Sequence, residues 1–168
     1  MSSIFMGEFM GTLILVFLGN GVVANVLLDK TKGNGAGLMV ITAGWAFAVT
    51  MGIFVATYFG SSGANINPAI TIANAVRTGD YSNMITMIAA QMLGAILGAT
   101  LVWIHYFKHW EHSKDPELKL ASFSTAPAIR DNFTNFISEF LGTFVLGMVG
   151  GTLGAISNGL GPFAVGLL

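Results

Sequence analysis

Long apolar runs separated by short polar ones dominate this chain. From residue 4 to residue 28 the one ionisable side chain is Glu8, and the run closes at Asp29-Lys30-Thr31-Lys32-Gly33-Asn34. A second run, 38–59, carries no charge and ends at Gly60-Ser61-Ser62-Gly63; a third fills 84–107 and a fourth 136–156, which Ser157-Asn158-Gly159 breaks. Each can cross the bilayer's hydrocarbon core as a helix, for which about 20 residues suffice. The piece 66–76 is as apolar but too short to cross, and it stops at Arg77-Thr78-Gly79-Asp80. Residues 108–135 carry more than half of the chain's charges and are expected to form a loop outside the membrane. A last apolar segment starts at Leu160 and is still running at Leu168, so the chain is expected to stop inside a helix. The pattern predicts an all-α membrane protein with about four and a half spans and one half-helix.

Composition agrees with lipid as the solvent: 54% of residues are hydrophobic and 9% charged, against about 25% charged in ordinary globular domains. A net charge of −1 gives no basic field for nucleic acid, and the absence of cysteine excludes disulfides, thiolate nucleophiles and Cys-based metal sites. The first run is too long for a signal-peptide core and has no basic flank before it, so it is expected to be retained. Gly7 and Gly11, Gly94 and Gly98, and Gly147 and Gly151 are each four apart, which flattens one face of each helix for close packing. An internal repeat is also visible. Glu8-Phe9-Met10-Gly11-Thr12-Leu13 recurs as Glu139-Phe140-Leu141-Gly142-Thr143-Phe144, 131 residues later (139 − 8). Three spans lie between the copies' starting points, so the copies enter the membrane from opposite sides, as in inverted-repeat proteins with midplane sites. The organisation is a single domain, 1–168: a first repeat 1–107, a loop 108–135 and the start of a second repeat 136–168.

Function is carried by Ser62-Gly63-Ala64-Asn65-Ile66-Asn67-Pro68-Ala69-Ile70-Thr71. Asn is a preferred N-cap and Pro a preferred first helical residue, so Asn67-Pro68 reads as a helix start. The roughly ten residues that follow span about 15 Å, half of the hydrocarbon core. A re-entrant half-helix is therefore expected to begin near mid-membrane. The irregular backbone leading into it is tolerable only where it lines a wet cavity, which implies a pore.

The Ser-Gly-Ala-x-x-Asn-Pro-Ala-x-Thr string, with the two Glu-Phe-x-Gly-Thr helices and the inverted repeat, resembles the first signature loop of the aquaporin superfamily, also called the major intrinsic proteins. The resemblance covers nearly the whole chain. It implies six spans, two half-helices meeting at their Asn-Pro-Ala ends, a pore in each subunit and a homotetramer. Trp45 matches the filter Trp of the glycerol-facilitator, or aquaglyceroporin, branch, and Phe123-Ser124-Thr125-Ala126-Pro127 is similar to that branch's long loop. The expected function is passive diffusion of glycerol and water across the cell membrane, with no enzymatic activity and no cofactor or metal; a water-selective channel is the alternative. Asn67, Pro68 and Ala69 are the expected pore motif, Trp45 a filter plate, and Ala64, Asn65 and Ile66 contributors through their carbonyls. Glu8, Glu139 and Gln91 are expected to brace the signature loops. Where the family usually has His, this chain has Asn65.

Other readings are weaker. His105, His109 and His112 have helical spacing suited to a metal, but they sit where a span runs out beside Trp110 and Lys114, as interfacial residues do. A secondary transporter would need ion or proton groups at the midplane, and the spans offer only the two glutamates. No Ser-His or paired-Asp set lies within the spans to suggest an enzyme. Six of the seven basic residues follow the first and third spans, so charge alone puts those connections in the cytoplasm, whereas the resemblance puts them outside. Extending the repeat from Asn67 places a second Asn-Pro-Ala roughly 20 to 30 residues past Leu168. On that expectation the 168 residues alone hold one half-pore and do not conduct.

Overall fold

The computed structural model describes residues 3–155 and 161–168. Among them are eight helices and no strand: α1 Ile4–Leu27, α2 Leu38–Tyr58, α3 Pro68–Thr78, α4 Met84–His105, α5 Phe107–His112, α6 Pro116–Ala121, α7 Asn132–Ala155 and α8 Pro162–Gly166. Four of them, α1, α2, α4 and α7, are long and apolar enough to cross a membrane.

α1 is the axis of the bundle, with α2 and α4 packed along it. Ser3 caps its first turn, accepting a hydrogen bond from Met6 N at 3.1 Å. The polar run that ends the apolar stretch also closes the helix, because Thr31 and Asn34 donate to the carbonyls of Leu28 and its neighbours, as at Asn34 Nδ2 to Leu28 O, 3.1 Å. Small residues set the spacing. A Cβ on Gly7 would lie 2.6 Å from Ala56 O of α2, one on Gly98 2.6 Å from Leu13 O, and one on Gly94 would collide with Phe9 O. These pairs let backbones meet where lipid supplies no hydrophobic drive between helices. Gly147 of the third pair behaves differently: among the described residues nothing approaches within 4 Å of a Cβ placed there.

The half-helix is re-entrant. At its start, Ile66 lies against Gly11 and Gly52, well inside α1 and α2. At its end, Thr78 and Asp80 share a pocket with Ile4, the first residue of α1. α3 therefore runs from the interior of the bundle back to the face where α1 begins. Its 11 residues cover about 16 Å, which suits half a bilayer.

Three boundaries differ from the sequence reading. The third span ends at His105, two residues early, and the expected loop holds the short helices α5 and α6. Asp29 ties α5 to the end of α1, through its N–H to Ser113 Oγ and its carbonyl to His109 Nδ1. The fourth span starts at Asn132 rather than 136, because Asp131 accepts from Thr134 N at 2.8 Å and from its hydroxyl, and so begins the helix inside the polar stretch. The break at Ser157-Asn158-Gly159 lies outside the described residues. α7 has little contact with the α1–α2–α4 core, while α8 sits tightly on α2, with Gly166 against Thr50 and Ala46.

Candidate functional site: a cavity at the re-entrant loop

The backbone between α2 and α3 takes a conformation that its residues resist. Ala64 and Ile66 have φ of 38° and 43°, in the left-handed region that a β-branched residue such as Ile66 avoids. Strain of this kind costs on the order of 1–3 kcal/mol per residue and persists only where the surroundings impose it. Glu8 imposes it. Fully buried, its carboxylate accepts from Ser61 Oγ, from Asn65 N at 2.9 Å, from Ile66 N at 2.7 Å and from Gln91 Nε2 at 2.8 Å. Two consecutive N–H groups of the loop thus face α1, and Gln91 reaches from α4 to Glu8 and to Thr71 Oγ1, 2.8 Å. Loop, α1, α3 and α4 are fixed at one point.

On the other side of the loop lies a cavity of about 440 Å³. Residues 63–67 form one wall with Ile70, Ala73, Asn74 and Arg77 of α3; Leu15, Val49 and Ile53 form an apolar wall from α1 and α2. Leu146, Gly147 and Gly150 of α7 and Val165 of α8 complete it. Asn67 caps α3, its Oδ1 accepting from Ala69 N at 2.9 Å. The amide's Nδ2 has no partner among the described residues, and it sits where the helix dipole places positive potential. The site thus offers a donor and a positive helix end on one side and hydrocarbon on the other. Such a lining suits a neutral solute that has both hydroxyls and carbons, and it opposes cations.

A family described as major intrinsic protein matches residues 2–159. The chain belongs to the major intrinsic protein family. It is 46% identical over 166 residues to glycerol uptake facilitator protein 3 of Lactiplantibacillus plantarum, covering 97% of this chain and 68% of that protein. It is 48% identical over 165 residues to the glycerol uptake facilitator protein of Streptococcus pneumoniae R6 (96% and 70%), and 44% identical over 169 residues to the probable glycerol uptake facilitator protein of Thermotoga maritima (99% and 71%). As a major intrinsic protein the chain is a multi-pass membrane protein, and large apolar residues on its spanning helices, among them Met39, Phe54, Ile85 and Ile96, are left exposed on the outside of the bundle.

The expected site residues of this major intrinsic protein fall into three groups. Asn67, Ala64, Asn65 and Ile66 border the cavity, with Pro68 and Ala69 forming the first turn of α3, and Glu8 and Gln91 stand behind the loop. Trp45 is not among the cavity's lining residues; its ring lies across Gly19 of α1. It does continue the lining face of α2, since Trp45, Val49 and Ile53 are spaced by four. Glu139 stands apart, exposed on α7 with no hydrogen-bond partner among the described residues. Among the described residues no re-entrant loop packs beside it. The histidines do not converge: His105 packs edge-on against Phe17, His109 bonds Asp29 O, and His112 bonds Lys108 O. Sequence reasoning missed Ser61, Asn74 and Arg77. The signal for the last two was spacing, because Asn67, Asn74 and Arg77 share one face of α3.

Proposed function

We propose that the protein is a passive channel for glycerol and water, working as a homotetramer with a conduit in each subunit, and that it catalyses no reaction. The observation that carries the reading is the loop held open by Glu8, which leaves the Asn67 amide and the N-terminal end of α3 beside a cavity with an apolar opposite wall. Glycerol fits this lining, its hydroxyls taking donors and carbonyls while its carbon edge slides on Leu15, Val49 and Ile53. The relatives' names, glycerol uptake facilitators, support the same substrate. Trp45, one turn beyond Val49, would extend the apolar wall toward the far mouth as a filter plate. The carbonyls of Ala64, Asn65 and Ile66 serve as acceptors along the loop.

The test is shrink–swell light scattering of vesicles carrying the intact protein, first in a glycerol gradient and then in sucrose. Glycerol flux proportional to gradient, without saturation and unaffected by collapsing proton or sodium gradients, is expected. Flux that needs an ion gradient would make the protein a secondary transporter, and water flux without glycerol flux would make it a water channel.

A further inference from the structure

α3 carries a second polar set beyond its N-terminus that the Asn-Pro-Ala motif does not include. Asn74 and Arg77 lie seven and ten residues after Asn67, about 10 and 15 Å further along the helix, and both border the same cavity. Their side chains are linked: Arg77 Nη2 donates to Asn74 Oδ1 at 3.3 Å, Asn74 Nδ2 to Asn65 Oδ1 at 3.0 Å, and Asn65 Nδ2 to Thr71 Oγ1 at 3.3 Å. This orders the amides from the Gln91–Thr71 pair down to the mouth at the end of α3. Arg77 has no carboxylate within ion-pair distance among the described residues, and that single bond to Asn74 is the only one its guanidinium makes there. Most of its five donors are left to whatever enters. Ile70 and Ala73 on the same wall are apolar, so an apolar stretch separates Asn67 from the Asn74–Arg77 pair.

We infer that Arg77 and Asn74 form a second hydroxyl-binding station at the mouth where α3 ends, selecting neutral polyols over water and repelling cations. The inference rests on the channel reading above. A solute leaving bulk water gives up hydrogen bonds, and glycerol, with three hydroxyls, gives up more than one water molecule moving in file. Donors at the mouth compensate glycerol most, so removing them raises its barrier more than water's. Asn74 positions the guanidinium; Arg77 touches the solute.

The experiment compares glycerol and water permeability in vesicles carrying the intact parent protein, Arg77→Gln, Arg77→Lys or Asn74→Ala, each normalised to membrane-inserted protein. Arg77 is exposed, so its variants are expected to fold. Arg77→Gln should lower the glycerol-to-water ratio roughly threefold or more, the effect of one lost net hydrogen bond, with water permeability near the parent's. Arg77→Lys, which keeps charge and donors, should restore at least half of that ratio. An unchanged ratio in Arg77→Gln overturns the station, as does a parallel fall in both permeabilities. So does a shift confined to Asn74→Ala, which would assign Asn74 to holding the loop through Asn65. A parent that passes neither solute overturns the channel reading and the station together, whereas a conducting parent with unmoved ratios overturns the station alone.

Discussion

Glu8 holds a buried position in an apolar span because four donors meet its two oxygens, with no cation nearby among the described residues. Hydrogen bonds to a charged acceptor are worth about 1.5–3 kcal/mol each, and they offset the cost of keeping a carboxylate out of water. Glu8→Gln keeps the shape but turns one acceptor into a donor, leaving one loop N–H, that of Asn65 or of Ile66, facing an N–H₂. We expect a loss of about 2–4 kcal/mol, seen as a lower yield of monodisperse protein on detergent extraction, with glycerol flux per folded molecule unchanged. Reduced flux per folded molecule at normal yield would instead assign Glu8 to transport. Trp45 predicts the opposite pattern. Trp45→Ala removes a ring from the α1–α2 seam at Gly19 and from the face that Val49 and Ile53 continue, so the glycerol-to-water ratio should change while the protein still inserts. Equal ratios would remove Trp45 from the path. At this scale the motif residues were legible because capping and proline placement are local chemistry. Asn74 and Arg77 were not, because which face of α3 borders the cavity depends on where α2, α7 and α8 stand.

Helices were the most legible level, since a span announces itself by length and apolarity alone. α1, α2 and the start of α4 fall within a residue of expectation, and α3 begins at the expected Asn67-Pro68. α5 and α6 were hidden because charged, interrupted sequence carries no apolar period, and what fixes α5 is a tertiary contact, Asp29 to Ser113 and His109. The glycine pairs read correctly on α1 and α4 but not at Gly147, because spacing alone does not tell a helix seam from a cavity wall. This gives a contrast to measure. Gly94→Ala places a methyl on Phe9 O and should lower the thermal midpoint in detergent by several degrees, whereas Gly21→Ala, with nothing within 4 Å, should leave it level or raise it. The start of α7 is sensitive to acid. Hydrogen bonds from the Thr134 backbone and side chain hold the Asp131 carboxyl below its ordinary 3.8. The cap is thus fully present above that value and is lost as pH falls through the lowered one. Amide exchange at Thr134 should therefore speed up, beyond its intrinsic rate, only below pH 3.8, and Asp131→Ala should show the fast rate at every pH.

The cavity belongs to the molecule rather than to any helix, being walled by α1, α2, the loop, α3, α7 and α8. Among the described residues the copies of the Glu-Phe-x-Gly-Thr repeat meet different neighbours: Glu8 is buried under a loop, and Glu139 lies exposed on a helix that lends the cavity Leu146, Gly147 and Gly150. The width of the path depends on how closely α8 approaches α2, and that distance is set at Gly166, whose hydrogen faces Thr50 Oγ1 and Ala46 O where a Cβ would collide with both. Thr50 is held in place by its own hydroxyl on Ala46 O at 2.9 Å, so it cannot turn away without leaving a buried donor unpaired. Gly166→Val must then push α8 outward, carrying Val165 off the apolar wall. Because this widens the cavity between the two mouths and leaves the residues proposed to select at those mouths, Trp45 and Arg77, in place, it should alter water and glycerol permeability by the same factor and leave their ratio at the parent's value. Arg77→Gln and Trp45→Ala should move the ratio, and Gly166→Val should not. Light scattering on the three variants side by side checks this, and a ratio change in Gly166→Val would mean that selectivity is set by width along the whole path and not by residues at its two mouths.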